Sequence, residues 1–172
     1  MLGGVRRSAR TRHLECGCLV GRLLRCSPLR HLNGDFSWTD SVSYHWRGPL
    51  SDDEMVDLVC SHGGNPEPGW WNRVRRHSLG WVVARAEDGT VLGFVNVAWD
   101  GGVHAFLLDT KTRGTHQHRG IGTELVRQAA RFAGGAGCEW LHVDFESPFG
   151  TFYYDACGFA RTDAGLIHLS DD

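Results

Sequence analysis

No stretch of the chain approaches the roughly 18 uninterrupted apolar residues that a bilayer span requires, so no transmembrane helix is expected. Cysteine is too sparse for a disulfide-stapled mini-protein, with six in 172 residues. Lysine is nearly missing: Lys111 stands alone against 17 arginines, which points to a biased genome. That scarcity removes the Walker P-loop from consideration, because its Gly-x4-Gly-Lys-Ser/Thr run needs a lysine at the phosphates. Acid is the fourth shortage, and it is local. Up to Gly34 a single acid, Glu15, faces seven arginines for a charge of +6, whereas the remainder carries −8.

Residues 1–34 and 35–172 therefore read as two different polymers. In the first, Arg22 interrupts the apolar run Leu19–Leu24, so a secretory signal is not expected. Its composition would suit an organellar transit peptide or a basic arm. Cys16-x-Cys18-x7-Cys26 lacks the paired spacing and fourth ligand of a structural zinc site. The favoured reading is a disordered N-terminal extension outside the working fold. The second piece, with its share of the chain's 41% hydrophobic residues, is long enough for one domain. Cys60, Cys138 and Cys157 are dispersed through it and read as reduced, buried thiols of a cytoplasmic protein.

Within this domain Ser41–Arg47 reads as a first strand ending at Gly48-Pro49. Ser51-Asp-Asp-Glu54 is a capping box, and Met55, Leu58 and Val59 continue at helical spacing to about His62. A second short helix is expected at Trp70–Arg76. Trp81–Ala86 and Val91–Trp99 flank the hairpin signal Glu87-Asp88-Gly89-Thr90, and Asp100-Gly101-Gly102 leads into a third strand, Val103–Thr112. Gly120–Ala133 is amphipathic, with Ile121, Leu125, Ala129 and Phe132 on one face, and is expected to end at Gly134-Gly135. Trp140–Glu146 alternates as a strand, Phe149–Cys157 forms a short helix, and Phe159–Leu169 supplies a last strand or strand pair. The order describes an α/β fold: a mixed sheet with helices on its faces.

The chemistry concentrates in Gln117-His118-Arg119-Gly120-Ile121-Gly122-Thr123, between a long strand and the amphipathic helix. A helix N-terminus carries unpaired amides and the positive end of the dipole, so it favours a phosphate. Glycines at 120 and 122 let backbone approach an anion, and Arg119 adds charge. A dinucleotide fingerprint would need a third glycine inside a parallel βαβ unit, and neither is present. A pyrophosphate cradle for coenzyme A and a plain tight turn both remain.

Gln117-x-x-Gly120-x-Gly122 resembles the Gln/Arg-x-x-Gly-x-Gly/Ala signature of the GNAT superfamily of N-acetyltransferases. Tyr153-Tyr154-Asp155-Ala156-Cys157-Gly158-Phe159 is similar to that family's Phe-Tyr-x-x-x-Gly-Phe element, and the resemblance covers about Asp40–Leu169. It departs at Thr110-Lys111-Thr112-Arg113-Gly114, where the family has a Leu-x-Val-x-Pro-like run. The resemblance implies the acyl-CoA N-acyltransferase fold, a mostly antiparallel sheet of 6–7 strands flanked by about four helices. It implies acetyl-CoA as co-substrate and no metal. The amides of Gln117, His118, Arg119, Gly120, Ile121, Gly122 and Thr123 would hold the pyrophosphate. Backbone of Thr110, Lys111 and Thr112 would pair with the pantetheine arm and acetyl carbonyl, and Trp140–Glu146 would form the opposite wall. Tyr154 matches the tyrosine that protonates the leaving thiolate, after a neutral amine attacks the thioester directly in a ternary complex.

Asp109, Asp144, Glu146 and His104 border the expected cleft and are the candidates for the base. His116 and His118 read as polar loop residues. Acidic balance favours a cationic small-molecule or peptide amine acceptor and disfavours nucleic acid. Trp38, Trp46, Trp70, Trp71 and Trp99 serve an acceptor pocket or, for most, the core. Acceptor choice is expected to lie in Leu50–Ser78. A monomer or homodimer in the cytoplasm is expected. The rival function is a non-catalytic acyl-CoA sensor.

Overall fold

The computed structural model describes residues 41–169. The expected 1–34 extension, Cys16, Cys18, Cys26 and Trp38 lie outside them. Five strands form one sheet in chain order: β1 (Ser43–Trp46), β2 (Ser78–Arg85), β3 (Val91–Trp99), β4 (His104–Thr112) and β5 (Trp140–Val143). The first three pairings are antiparallel and β4–β5 is parallel. The helices are α1 (Asp52–Ser61), α2 (Trp70–Val74), which runs on into a 3-10 turn at Arg75–His77, and α3 (Ile121–Gly135). A 3-10 turn at Ser147–Phe149 and a π-helical turn at Thr151–Ala156 follow β5.

Local chemistry accounts for most of these boundaries. Ser51 accepts the Glu54 amide at 3.2 Å while the Glu54 carboxylate accepts the Ser51 amide at 2.8 Å, so the capping box closes α1. The same carboxylate receives Arg85 at 2.7 Å, and Arg85 also donates to the Pro49 carbonyl, tying α1 to β2. Asp88 and Asp100 each accept a backbone N–H in the turns that join the meander strands.

The sheet buries both faces. On one, Val82, Val95, Val97, Ala105 and Leu107 meet Leu125, Ala129 and Ala133 of α3. On the other, Val83 and Phe94 meet Leu50, Met55, Leu58 and Trp71. Trp71 is a core residue: it packs edge-on to Trp81 and Phe94 and donates its indole N–H to the Leu50 carbonyl at 3.1 Å. Trp46 likewise stacks on Phe132, at 4.8 Å.

Four expectations need correction. The sheet has five strands among the described residues rather than 6–7, because Phe159–Leu169 forms no ladder. Its apolar side chains find no sheet face to cover: Leu166, Ile167 and Leu169 stand 84%, 82% and 92% exposed. Next, α3 runs through Gly134 and Gly135. The chain leaves it at Gly137, whose φ of 96° allows the reversal in which the Cys138 amide caps the Ala133 carbonyl. Finally, β5 stops at Val143 rather than Glu146 because it parts there from β4. Cys60, expected to be buried, is exposed.

The Arg85 guanidinium holds the Glu54 carboxyl below its ordinary range. A carboxylate with a lower pKa folded than unfolded adds stability at neutral pH, and acid removes it as the pH falls through the lowered value. Glu54→Gln should therefore lower the melting temperature at pH 7. Its deficit should shrink below about pH 4, as the parent's carboxylate protonates. Thermal melts of both chains across that range provide the measurement.

Candidate active site

The site begins with one extra residue. Phe94 pairs with Lys111 and Asn96 with Leu108, so two steps along β3 match three along β4. This is a bulge, and Asp109 within it adopts a φ of 56°, unusual for a residue with a Cβ. On its other side β4 pairs with β5 from His104–Trp140 to Leu107–Val143 and no further, although β4 itself continues to Thr112. The two strands splay beyond that point. Between them lies a cavity of about 710 Å³, walled by residues 109–112 of β4 and residues 144–146 after β5.

The cradle residues close one side of this cavity. Arg113 anchors the loop that carries them: its amide and Nε donate to the carbonyls of Leu92 and Val91, both at 2.8 Å, and its guanidinium pairs with Asp57 of α1. After a 3-10 turn at Gly114–His116 the chain reverses through His118 at φ 60° and Gly120 at φ 82°, a conformation that suits glycine. Helix α3 then starts with no side chain capping its amides. Glu124, the first-turn acid, is engaged instead with Arg127 and Gln128, and Arg127 holds its carboxyl below the usual range. The first-turn amides and the positive dipole end thus face a cavity lined by Gly120, Ile121, Gly122 and Thr123. Gly122 has a second role: a Cβ there would lie 3.2 Å from the Phe152 ring, so the π-helical turn packs directly on the helix start.

Of the cofactor residues expected from the sequence, Thr110, Lys111, Thr112, Gln117, His118, Gly120, Ile121, Gly122 and Thr123 all line the cavity. Arg119 lies in the same loop but outside the lining. Asp109, Asp144 and Glu146 line it too. His104 does not: it sits at the paired end of β4, with its Nδ1 2.8 Å from Nε2 of His142. Trp70 reaches the site through Lys111, whose ammonium lies 5.5 Å from the indole centroid. Among the described residues no group of three or more His, Cys, Asp or Glu is placed to hold a metal.

The tyrosine pair divides in an unexpected way. Tyr153 lines the cavity, is 8% exposed, and stacks on Phe145 at 4.5 Å. Burial pushes its phenol above the ordinary value, with the Thr110 side chain pulling the other way. Thr110 Oγ1 itself is buried without hydrogen-bond geometry to any partner. Tyr154, the motif residue, lines an adjoining cavity of about 880 Å³, under the Arg161 guanidinium at 4.3 Å. The two tyrosines thus line different, adjoining cavities. The signal for Tyr153 lies in Phe149, Phe152 and Tyr153, which recur at helical spacing.

A mostly antiparallel sheet splayed at a bulge, with an uncapped helix start across the opening, defines an acyltransferase-type fold. The Acetyltransferase (GNAT) family's profile matches residues 38–159, and the chain belongs to that family as a GNAT-type acetyltransferase. A Streptococcus pneumoniae GNAT family acetyltransferase is 18% identical, with a TM-score of 0.65 over 77% of this chain and 100% of that one. The aminoglycoside N-acetyltransferase AAC(6')-Iy, solved with the bisubstrate analogue CoA-S-monomethyl-acetylneamine, is 16% identical, with a TM-score of 0.61 over 77% and 99%. The GNAT family N-acetyltransferase YhbS from Escherichia coli, solved with CoA, is 15% identical, with a TM-score of 0.57 over 69% and 68%. These likenesses show the shared fold. No curated relative matches the sequence.

Arg113→Met should strip the Val91 carbonyl and Asp57 of their guanidinium donor, while the backbone bond to Leu92 stays. The expected loss is about 1–3 kcal/mol of stability, read by urea denaturation, with weaker coenzyme A binding by calorimetry.

Proposed function

We propose that the protein transfers an acetyl group from acetyl-CoA to a primary amine by direct attack within a ternary complex. The observation that carries this reading is the uncapped start of α3 opening onto the same cavity as residues 109–112 of β4. A pyrophosphate at the helix start and a pantetheine arm running back along β4, like an added strand, use the two sets of backbone groups together. The acetyl end then lies near the bulge, where backbone N–H groups can take the developing oxyanion. No helix among the described residues is long and apolar enough to cross a membrane.

Two protons must move. An alkylammonium, with a pKa near 10, has to become neutral before it attacks. Asp109, Asp144 and Glu146 line the cavity and are the bases that a substrate nitrogen meets there, directly or through water. The leaving thiolate takes its proton from a tyrosine of the 153–154 pair. We assign this role to Tyr153 because its side chain shares the cradle's cavity and its environment keeps the phenol protonated. Tyr154 is the alternative, supported by the motif position.

The carboxylates of the lining favour a cationic acceptor. A structural neighbour solved with an acetylneamine-bearing analogue recommends aminoglycosides for the assay panel, beside polyamines and lysine peptides.

Acetyl-CoA at about a hundred times its dissociation constant should stabilise the fold by about 2.7 kcal/mol, visible as a rise in melting temperature. No rise at saturation would remove the cradle, and a rise without coenzyme A release on any amine would favour the sensor function. Tyr153→Phe should cut turnover by about a hundredfold with cofactor affinity nearly unchanged, and Tyr154→Phe by much less. Steady-state kinetics of the two variants decide between the tyrosines.

A further inference from the structure

Seventeen arginines carry the positive charge of this chain everywhere except at Lys111. The difference is chemical, since a guanidinium stays protonated, whereas a lysine amine can lose its proton and become a nucleophile. The single lysine lines the cavity in which the acetyl group is proposed to sit. Its side chain is 19% exposed, so its position is set by neighbours rather than by solvent. One neighbour is the Asp109 carboxylate, with Oδ1 2.8 Å from Nζ, and the other is the indole of Trp70. The ion pair draws the ammonium back along β4 from position 111 to the bulge at 109. On the proposed function, on which this inference rests, that is the thioester end of the bound co-substrate.

We propose that Lys111 is a self-acetylation site of this enzyme. The ammonium passes a proton to the Asp109 carboxylate, and the freed lone pair attacks the acetyl carbonyl carbon. A carbon–nitrogen bond forms, the carbon–sulfur bond breaks, and the nitrogen's second proton leaves as the coenzyme A thiolate is protonated. The products are Nε-acetyl-Lys111, free coenzyme A and one proton on Asp109, which is returned to solvent. The modified wall loses one positive charge and keeps the Asp109 carboxylate.

The single lysine makes the test direct. The full chain is incubated with acetyl-CoA, folded or unfolded in urea, and acetylation is followed by intact mass and peptide mapping, with the α-amine as internal reference. Lys111 should be acetylated at least about tenfold faster in the folded chain, a gain expected from holding amine and thioester together. Lys111→Arg should lose that product. Asp109→Asn, which keeps a hydrogen-bond acceptor but takes no proton, should slow the reaction by about tenfold. The proposal is overturned if Lys111 stays unmodified, or reacts no faster than in the unfolded chain, while acetyl-CoA still raises the melting temperature. If acetyl-CoA leaves the melting temperature unmoved, the cofactor reading falls first and self-acetylation with it.

Discussion

The parting of β4 from β5 depends on the one-residue bulge at Asp109. Two parallel strands in register would otherwise continue to pair until one of them ended. The extra residue twists β4 as it passes Leu108, while β3 keeps hold of its other edge through Lys111 and Thr112. Backbone groups of β4 beyond Leu107 are therefore left facing a cavity instead of a neighbouring strand. A left-handed aspartate costs conformational energy, of the order of 1–2 kcal/mol, and the flanking ladder and the Lys111 ion pair hold it in place.

The other half of the site is positioned from a distance. Arg113 joins the end of β4 to β3 and to α1, and the following turn delivers Gly120 at the angle from which α3 can start. The buried row Ile121, Leu125, Ala129 and Ala133 then fixes the helix on the sheet. Hence the direction in which its first amides point is determined by apolar packing along the helix. Phe152 against Gly122 adds a contact from the far side, so the tyrosine turn packs directly on the start of α3.

Features encoded within a few neighbouring residues were legible in the sequence. The Ser51–Glu54 box and the Asp88-Gly89 turn each declare themselves over about four positions and appear where expected, and the Gln117–Gly122 signature lies on the wall of the cavity. The cavity lining followed from the signature together with the strand before it. What was hidden depends on distant partners. Nothing in Leu108-Asp109-Thr110 marks a bulge, because the mismatch exists only against Asn96 and Phe94. Which of two adjacent tyrosines lines the cavity beside Gly120 is decided by how a π-helical turn seats on Phe145. The apolar residues after Gly158 looked like strand material, yet a strand also needs a ladder, and Leu166, Ile167 and Leu169 find none.

One further consequence concerns the rim of the sheet. Strand β5 closes it, and among the described residues only β4 hydrogen-bonds to it. An open rim can recruit stray extended peptide and seed insoluble assemblies. Here the exposed stretch is four residues long, and Trp140 projects from it 61% exposed. Its brevity limits any such adhesion to a few hydrogen bonds, and the sharp divergence after Val143 denies a longer intruder a flat template. The geometry that opens the cleft thus also limits self-association along this rim.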